Sequence, residues 1–204
     1  FVPQAKDVLA SLPLLREIVL EHGAGPGPLP SKHLELLASC DALAGLHGLD
    51  LTPDRYLRDL ESLELLLSAP CMPSLRWHRA GFHRSAEGFG RRGAERIAAC
   101  AALGELRYLE IAGQSLGARG AEALLASTTL AKLERLRLPL NNLRDGGART
   151  LLRALERGAL PALRELDLSN TVATDFVTKA ALSEQNRVSE ELQAAIAAVL
   201  AGRG

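Results

Sequence analysis

The 204-residue chain carries 24 basic and 24 acidic residues, so its formal charge cancels, and 47% of it is hydrophobic. Cancellation removes the global field that marks nucleic-acid or anionic-membrane binding, and so much apolar content supports a sizeable core rather than disorder. No apolar run reaches the roughly 18 to 20 residues that span a bilayer. Cys40, Cys71 and Cys100 form no close pair and leave one over, which fits a reducing, cytoplasmic setting better than a disulfide framework.

In chain order, "PQAKDVLASL" at residues 3 to 12 reads as a helix belonging to a unit whose strand lies upstream. Segments that begin on a leucine and alternate apolar residues follow: "LREIVL" from Leu15, "LHGLDL" from Leu46, "LRWHRA" from Leu75, "LRYLEI" from Leu106, "LERLRL" from Leu133 and "LRELDL" from Leu163. Their starts lie 27 to 31 residues apart. The best-preserved one, "LERLRLPLNNLRDGGARTLLRALERGAL", shows the logic. Leu136 and Leu138, two apart, send one face of a short strand inward, and Asn141 can bond backbone groups where the chain bends. The period then becomes helical, with Ala148, Leu151, Leu152 and Leu155 on one face. At the end of the chain, a shortened strand-like segment precedes an amphipathic helix at about 189–200, expected to cap the last open edge.

One strand, turn and helix cannot bury its own apolar face, so such units must stack in register. The pattern LxxLxLxxN, met in full by Leu133, Leu136, Leu138, Asn141 and Leu143, resembles the leucine-rich repeat family, in particular its long-repeat, ribonuclease-inhibitor-like class. The Asn slot elsewhere reads Gln114, Thr171, His83, Asp54 and Gly23, and His78 stands in a leucine slot. The resemblance covers about residues 12 to 200. It implies a single α/β domain over 1–204, a short horseshoe arc of about six repeats with a parallel sheet on the concave face and helices outside. The Ala, Leu, Arg and Gly richness resembles leucine-rich proteins of bacteria with GC-rich genomes.

Register turns outward strand positions into columns. The middle column reads Val19, Asp50, Arg79, Glu110, Arg137 and Asp167, five of which alternate in sign; it either pairs with itself or is poised for a partner. Two residues earlier stand Glu17, Gly48, Trp77, Tyr108, Arg135 and Glu165. Only 3% of the chain is aromatic, so adjacent rings beside an Arg, the residue types enriched at interface hot spots, mark a candidate contact surface. The alternative is that Trp77 folds over Ala80 and Gly81 to fill a local gap. The third column, Glu21, Thr52, Gly81, Ala112, Pro139 and Ser169, is mostly small and is expected to leave a shallow groove.

Other chemistry is poorly supported. "SAEGFGRRGAER" at residues 85 to 96 is Gly-rich and basic, but it lacks a P-loop ending and the dinucleotide spacing, and reads as a turn entering a helix with Arg91 and Arg92 solvated. Each cysteine lies 25 residues after its unit's first leucine, a place for buried, inert side chains rather than zinc ligands. His22, His33, His47, His78 and His83 show no metal-ligand spacing, and no nucleophile motif emerges. The expected function is therefore non-enzymatic, without cofactor or metal: a monomeric module that binds a protein partner, rather than nucleic acid or membrane, through Trp77, Arg79, Tyr108, Glu110, Arg135, Arg137, Glu165 and Asp167. The alternatives are a regulator of an enzyme or small GTPase, since some proteins of this repeat class activate GTPases and Arg84, Arg91, Arg119 and Arg144 fall on post-strand loops, or the repeat portion of a larger sensor or effector.

Overall fold

A computed structural model describes residues 11–12, 14–19, 32–51, 59–80, 88–169 and 185–203. The alternating leucines form six short strands, β1 (Glu17–Val19), β2 (Gly48–Leu51), β3 (Trp77–Ala80), β4 (Tyr108–Ile111), β5 (Arg135–Arg137) and β6 (Glu165–Asp167), joined in chain order into one all-parallel sheet. Among the described residues are six α-helices: α1 (Lys32–Ala38), α2 (Leu60–Leu67), α3 (Gly90–Ala99), α4 (Gly117–Leu125), α5 (Arg144–Glu156) and α6 (Glu190–Ala201). The architecture is thus α/β. Of the helix expected at 3–12, residues 3–10 lie outside the described residues, and Ser11 and Leu12 are not helical.

Strand pairing places Gly48, Trp77, Tyr108, Arg135 and Glu165 in one register line after Glu17, and Asp50, Arg79, Glu110, Arg137 and Asp167 in another after Val19. The same backbone contacts recur at every step. The carbonyls of Arg16, His47, Arg76, Arg107 and Glu134 each accept two N–H groups from the start of the next strand. The first leucines are pinned alike: the N–H groups of Leu46, Leu75, Leu106, Leu133 and Leu163 each donate to the carbonyl three residues before.

The inward alternation supplies the core. Leu49, Leu109 and Leu136 on the strands and Leu46, Leu75, Leu106, Leu133 and Leu163 before them are essentially inaccessible, and each fully buried leucine contributes about 1.5 to 3 kcal/mol of hydrophobic stabilisation. Helices close the other side of this layer and pack on their neighbours in sequence, α3 on α4, α4 on α5 and α5 on α6. Gly120 permits the approach of α3 to α4, since a Cβ there would lie 3.3 Å from the Arg91 Cα and 3.4 Å from the Ala94 Cβ.

The turn between strand and helix confirms the role read for Asn141 and relocates its last counterpart. Asn141 Nδ2 donates to the carbonyls of Ile111 (2.7 Å) and Pro139 (3.0 Å), while its Oδ1 accepts from the N–H of Gln114 (3.1 Å) and Leu116 (3.4 Å). Asn186 repeats this one strand later. Its Nδ2 donates to Leu138 (2.7 Å) and Leu168 (2.9 Å), and its Oδ1 accepts from Asn141 (3.0 Å) and Leu143 (3.2 Å). Thr171, the residue expected in this slot, lies outside the described residues, and the position is taken by Asn186.

Backbone geometry agrees: Ser115, Asn142 and Arg187, each following a slot residue, are all left-handed, with φ of 53°, 55° and 46°. The C-terminal helix α6 consequently stands where the sixth segment's own helix belongs, packed on α5 and β6. Its entry is fixed by the Ser189 N–H donating to Asp145 Oδ1 at 2.8 Å. At its far end Arg203 donates to the carbonyls of Ala159 (2.9 Å) and Leu160 (3.0 Å) and to that of Leu155, closing the C-terminus of α5.

Candidate functional site

The outward face of the sheet carries the predicted residues. The line Glu17, Trp77, Tyr108, Arg135, Glu165 is its accessible part: Trp77 and Tyr108 are half-buried and the charged members exposed. The rings stand on paired residues of β3 and β4. Trp77 covers a gap across the sheet; Gly81 and the Ala80 side chain, the alternative seat expected for it, lie outside the described residues. Its indole rests on Gly48, where a Cβ would fall 2.1 Å from the Trp77 Cε2, and its Nε1 donates to Glu17 Oε1 at 3.4 Å. A side chain at position 48 would therefore evict the indole. Arg135 and Glu165 are a loose exposed pair at 3.4 Å, a geometry worth about 0 to 1 kcal/mol.

The middle line is not the exposed column that alternation alone implies. Asp50 is 6% exposed and Glu110 has no exposure. The reason is local packing and pairing. Tyr108 Oη donates to Glu110 Oε2 at 2.6 Å, so the phenol shields the carboxylate two residues on. Arg137 lies between two acids, with Nη1 3.1 Å from Glu110 Oε2 and Nε 2.8 Å from Asp167 Oδ2. Arg79 sits on β3 in register with Asp50 and Glu110, and its side chain lies outside the described residues.

The electrostatics follow from these contacts. Burial and the hydrogen bond to Glu110 push the Tyr108 phenol above its ordinary value. Burial also opposes charge on Arg137 and Asp167, but Asp167 and Tyr108 together hold the guanidinium more firmly protonated than usual. The Ser169 N–H, which donates to Asp167 Oδ1 at 2.8 Å, and Arg137 keep the Asp167 carboxyl below the usual carboxylate range. From Tyr108 to Asp167 the ladder is a half-buried, largely self-satisfied network around the buried Glu110. Its effect on the surface is to fix the half-exposed Tyr108 by its hydroxyl.

Other expectations meet a mixed outcome. Ala112 and Pro139 of the third column are buried, so they line no groove; Glu21, Thr52 and Gly81 lie outside the described residues. Arg91, Arg119 and Arg144 lie within the first turns of α3, α4 and α5 rather than on loops; Arg91 is paired with Glu95 at 2.7 Å and Arg144 Nε donates to Asn142 Oδ1 at 3.1 Å. Arg84 lies outside the described residues. Cys40 and Cys71 are buried and Cys100 only half so; burial pushes the Cys71 thiol up to about 11. Among the described residues no group of three or more His, Cys, Asp or Glu is placed to hold a metal, and no helix is long and apolar enough to cross a membrane.

His78 stands in the leucine slot that the sequence assigns to it. In its leucine slot it is buried, Nδ1 3.1 Å from the Leu49 carbonyl, and burial lowers its pKa to about 4. No family model and no curated protein matches the chain.

Proposed function

We propose that this chain is a leucine-rich-repeat solenoid of the long-repeat class, acting as a non-enzymatic module that binds a protein partner on the concave, outward face of its sheet. The recurrent backbone ladder, the chain-order parallel sheet and the Asn141 and Asn186 turns support the solenoid reading, since a strand that cannot bury its face alone is stabilised by identical neighbours. The observation that carries the binding reading is the placement of Trp77 beside Tyr108. Two scarce rings stand in register on a rigid sheet, one seated on Gly48 and one held by Glu110, with Arg135 and Glu165 alongside.

Large, ordered, amphipathic side chains lose little conformational freedom on binding, which is why such clusters dominate interface energetics. Glu110, Arg137 and Asp167 form the bonded network that holds Tyr108, and Arg79 stands in register with Glu110 on the neighbouring strand. The partner is a protein whose projecting loop or helix enters the arc.

Selection of binders from a displayed protein library, followed by Trp77→Ala/Tyr108→Ala, tests the reading. Loss of at least tenfold in affinity, in a double variant that still unfolds cooperatively, is expected for binders of this face. Full affinity of all selected binders for the folded double variant would overturn it.

A further inference from the structure

We propose that the open edge of β6 is a second binding site, which takes up an extended segment of basic–apolar–basic pattern as a seventh parallel strand. This concerns the end of the sheet and does not rest on the reading of its outward face.

The edge is chemically prepared for such an addition. Among the described residues β6 is hydrogen-bonded on one side only, to β5. The Glu165 N–H and the Asp167 carbonyl are spent on that side, so the parallel alternation turns the Leu166 N–H and carbonyl toward the open edge. Arg164 repeats the position of the carbonyls of Arg16, His47, Arg76, Arg107 and Glu134, each of which accepts two N–H groups from the next strand.

Beside this row, between β6 and α6, is an open cavity of about 350 Å³ lined by Leu166, Leu168, Ala194, Ile196 and Ala197 together with Gln193 and Asp167. A following strand would place its inward apolar side chain there. Ala194 and Ala197 are exposed on α6 and their short side chains leave the space clear.

Charge selects the occupant. Among the described residues Glu165 and Asp167 end their columns on the outward face, and the preceding strand shows what such a pair accepts: Arg135 stands 3.4 Å from Glu165 and Arg137 2.8 Å from Asp167, with Leu136 between them facing inward. A segment with two basic residues flanking an apolar one reproduces that match on the free side of β6. A second copy of this chain does not. Adding its β1 in register would set Glu17 against Glu165 and Arg16 against Arg164, and an antiparallel pairing of two β6 strands would set acid against acid, and directly opposed like charges are destabilising. Main-chain bonds would supply affinity and the alternate side chains specificity, as in other strand additions.

The test is fluorescence anisotropy with a labelled Gly-Ser-flanked peptide of sequence Arg-Leu-Arg-Leu, set against its Glu-Leu-Glu-Leu counterpart. Saturable binding of the first and none of the second is expected. Methylating the backbone nitrogen of the second arginine, whose N–H faces the Leu166 carbonyl, should abolish binding, whereas methylating the nitrogen of the leucine between the arginines should not. Ala197→Arg, or Ala194→Arg if the first variant fails to melt cooperatively, should weaken binding at least tenfold.

Failure of the arginine peptide to bind, or equal binding after methylation at the second arginine or in the Ala197→Arg protein, would overturn the proposal. So would concentration-dependent dimerisation abolished by Ala197→Arg without peptide binding, which would assign the edge to a second copy.

Discussion

Lowering the pH from about 7 to 5 should destabilise this protein through His78. Its ring occupies a slot filled by Leu49, Leu109 and Leu136 on neighbouring strands, and burial drops its pKa from 6.5 to about 4. In the unfolded chain the same imidazole takes up a proton near its ordinary value. Between these two values the unfolded state binds more protons than the folded one, so stability is complete above about pH 6.5 and falls as the pH drops toward 4. The gap corresponds to about 3 kcal/mol once fully expressed, of which about 2 kcal/mol is lost by about pH 5.

Urea unfolding followed by the fluorescence of Trp77, the single tryptophan, measures this at about pH 7 and 5 for the wild type and for His78→Leu. The variant removes the titration and keeps an apolar group in the slot. Its loss of the bond to Leu49 shifts both pH values equally. The stability drop should therefore be about 2 kcal/mol smaller in His78→Leu than in the wild type. Equal drops in the two proteins would refute the reasoning.

Asn186→Ala, which orphans two carbonyls and two N–H groups at the last turn, should cost about 3 kcal/mol or more in chemical denaturation. Arg137→Ala leaves Glu110 and Asp167 facing each other without their shared cation and should cost about 2 to 4 kcal/mol, against less than about 1 kcal/mol for Arg135→Ala at its exposed pair; thermal melts of the two distinguish them. Alkylation of the native protein read by mass spectrometry should modify the half-exposed Cys100 first, with Cys71, buried and held as the thiol, modified only on unfolding.

The strands and their register were legible because period-2 leucines leave one choice of inward face, and a one-residue slip would expose all of them. Asn141 was legible for the same reason: a polar residue at a fixed distance beyond the strand has nearby backbone groups to satisfy. The sixth turn was not found by counting, because residues 170 to 184 intervene between Ser169 and the asparagine that does the work. A signal was present all the same: "NRVSEEL" from Asn186 repeats the asparagine, left-handed residue and apolar residue of "NNLRDGG" from Asn141. The columns gave the neighbours of each outward residue but not their depth. Glu110 is buried by the ring of Tyr108, a side-chain choice that periodicity does not encode. Trp77 likewise rests on Gly48, a glycine 29 residues away that the column names but whose use as a seat depends on the direction the indole takes.

The claim that Trp77 and Tyr108 form the partner surface is tested most directly by oxidative footprinting of a selected complex. Both rings are accessible in the free protein and should be modified readily. In the complex their modification should fall several-fold, while residues on the solvent side of α3, α4 and α5 keep their free-state rates. Unchanged oxidation of both rings, with protection confined to those helices, would contradict the account.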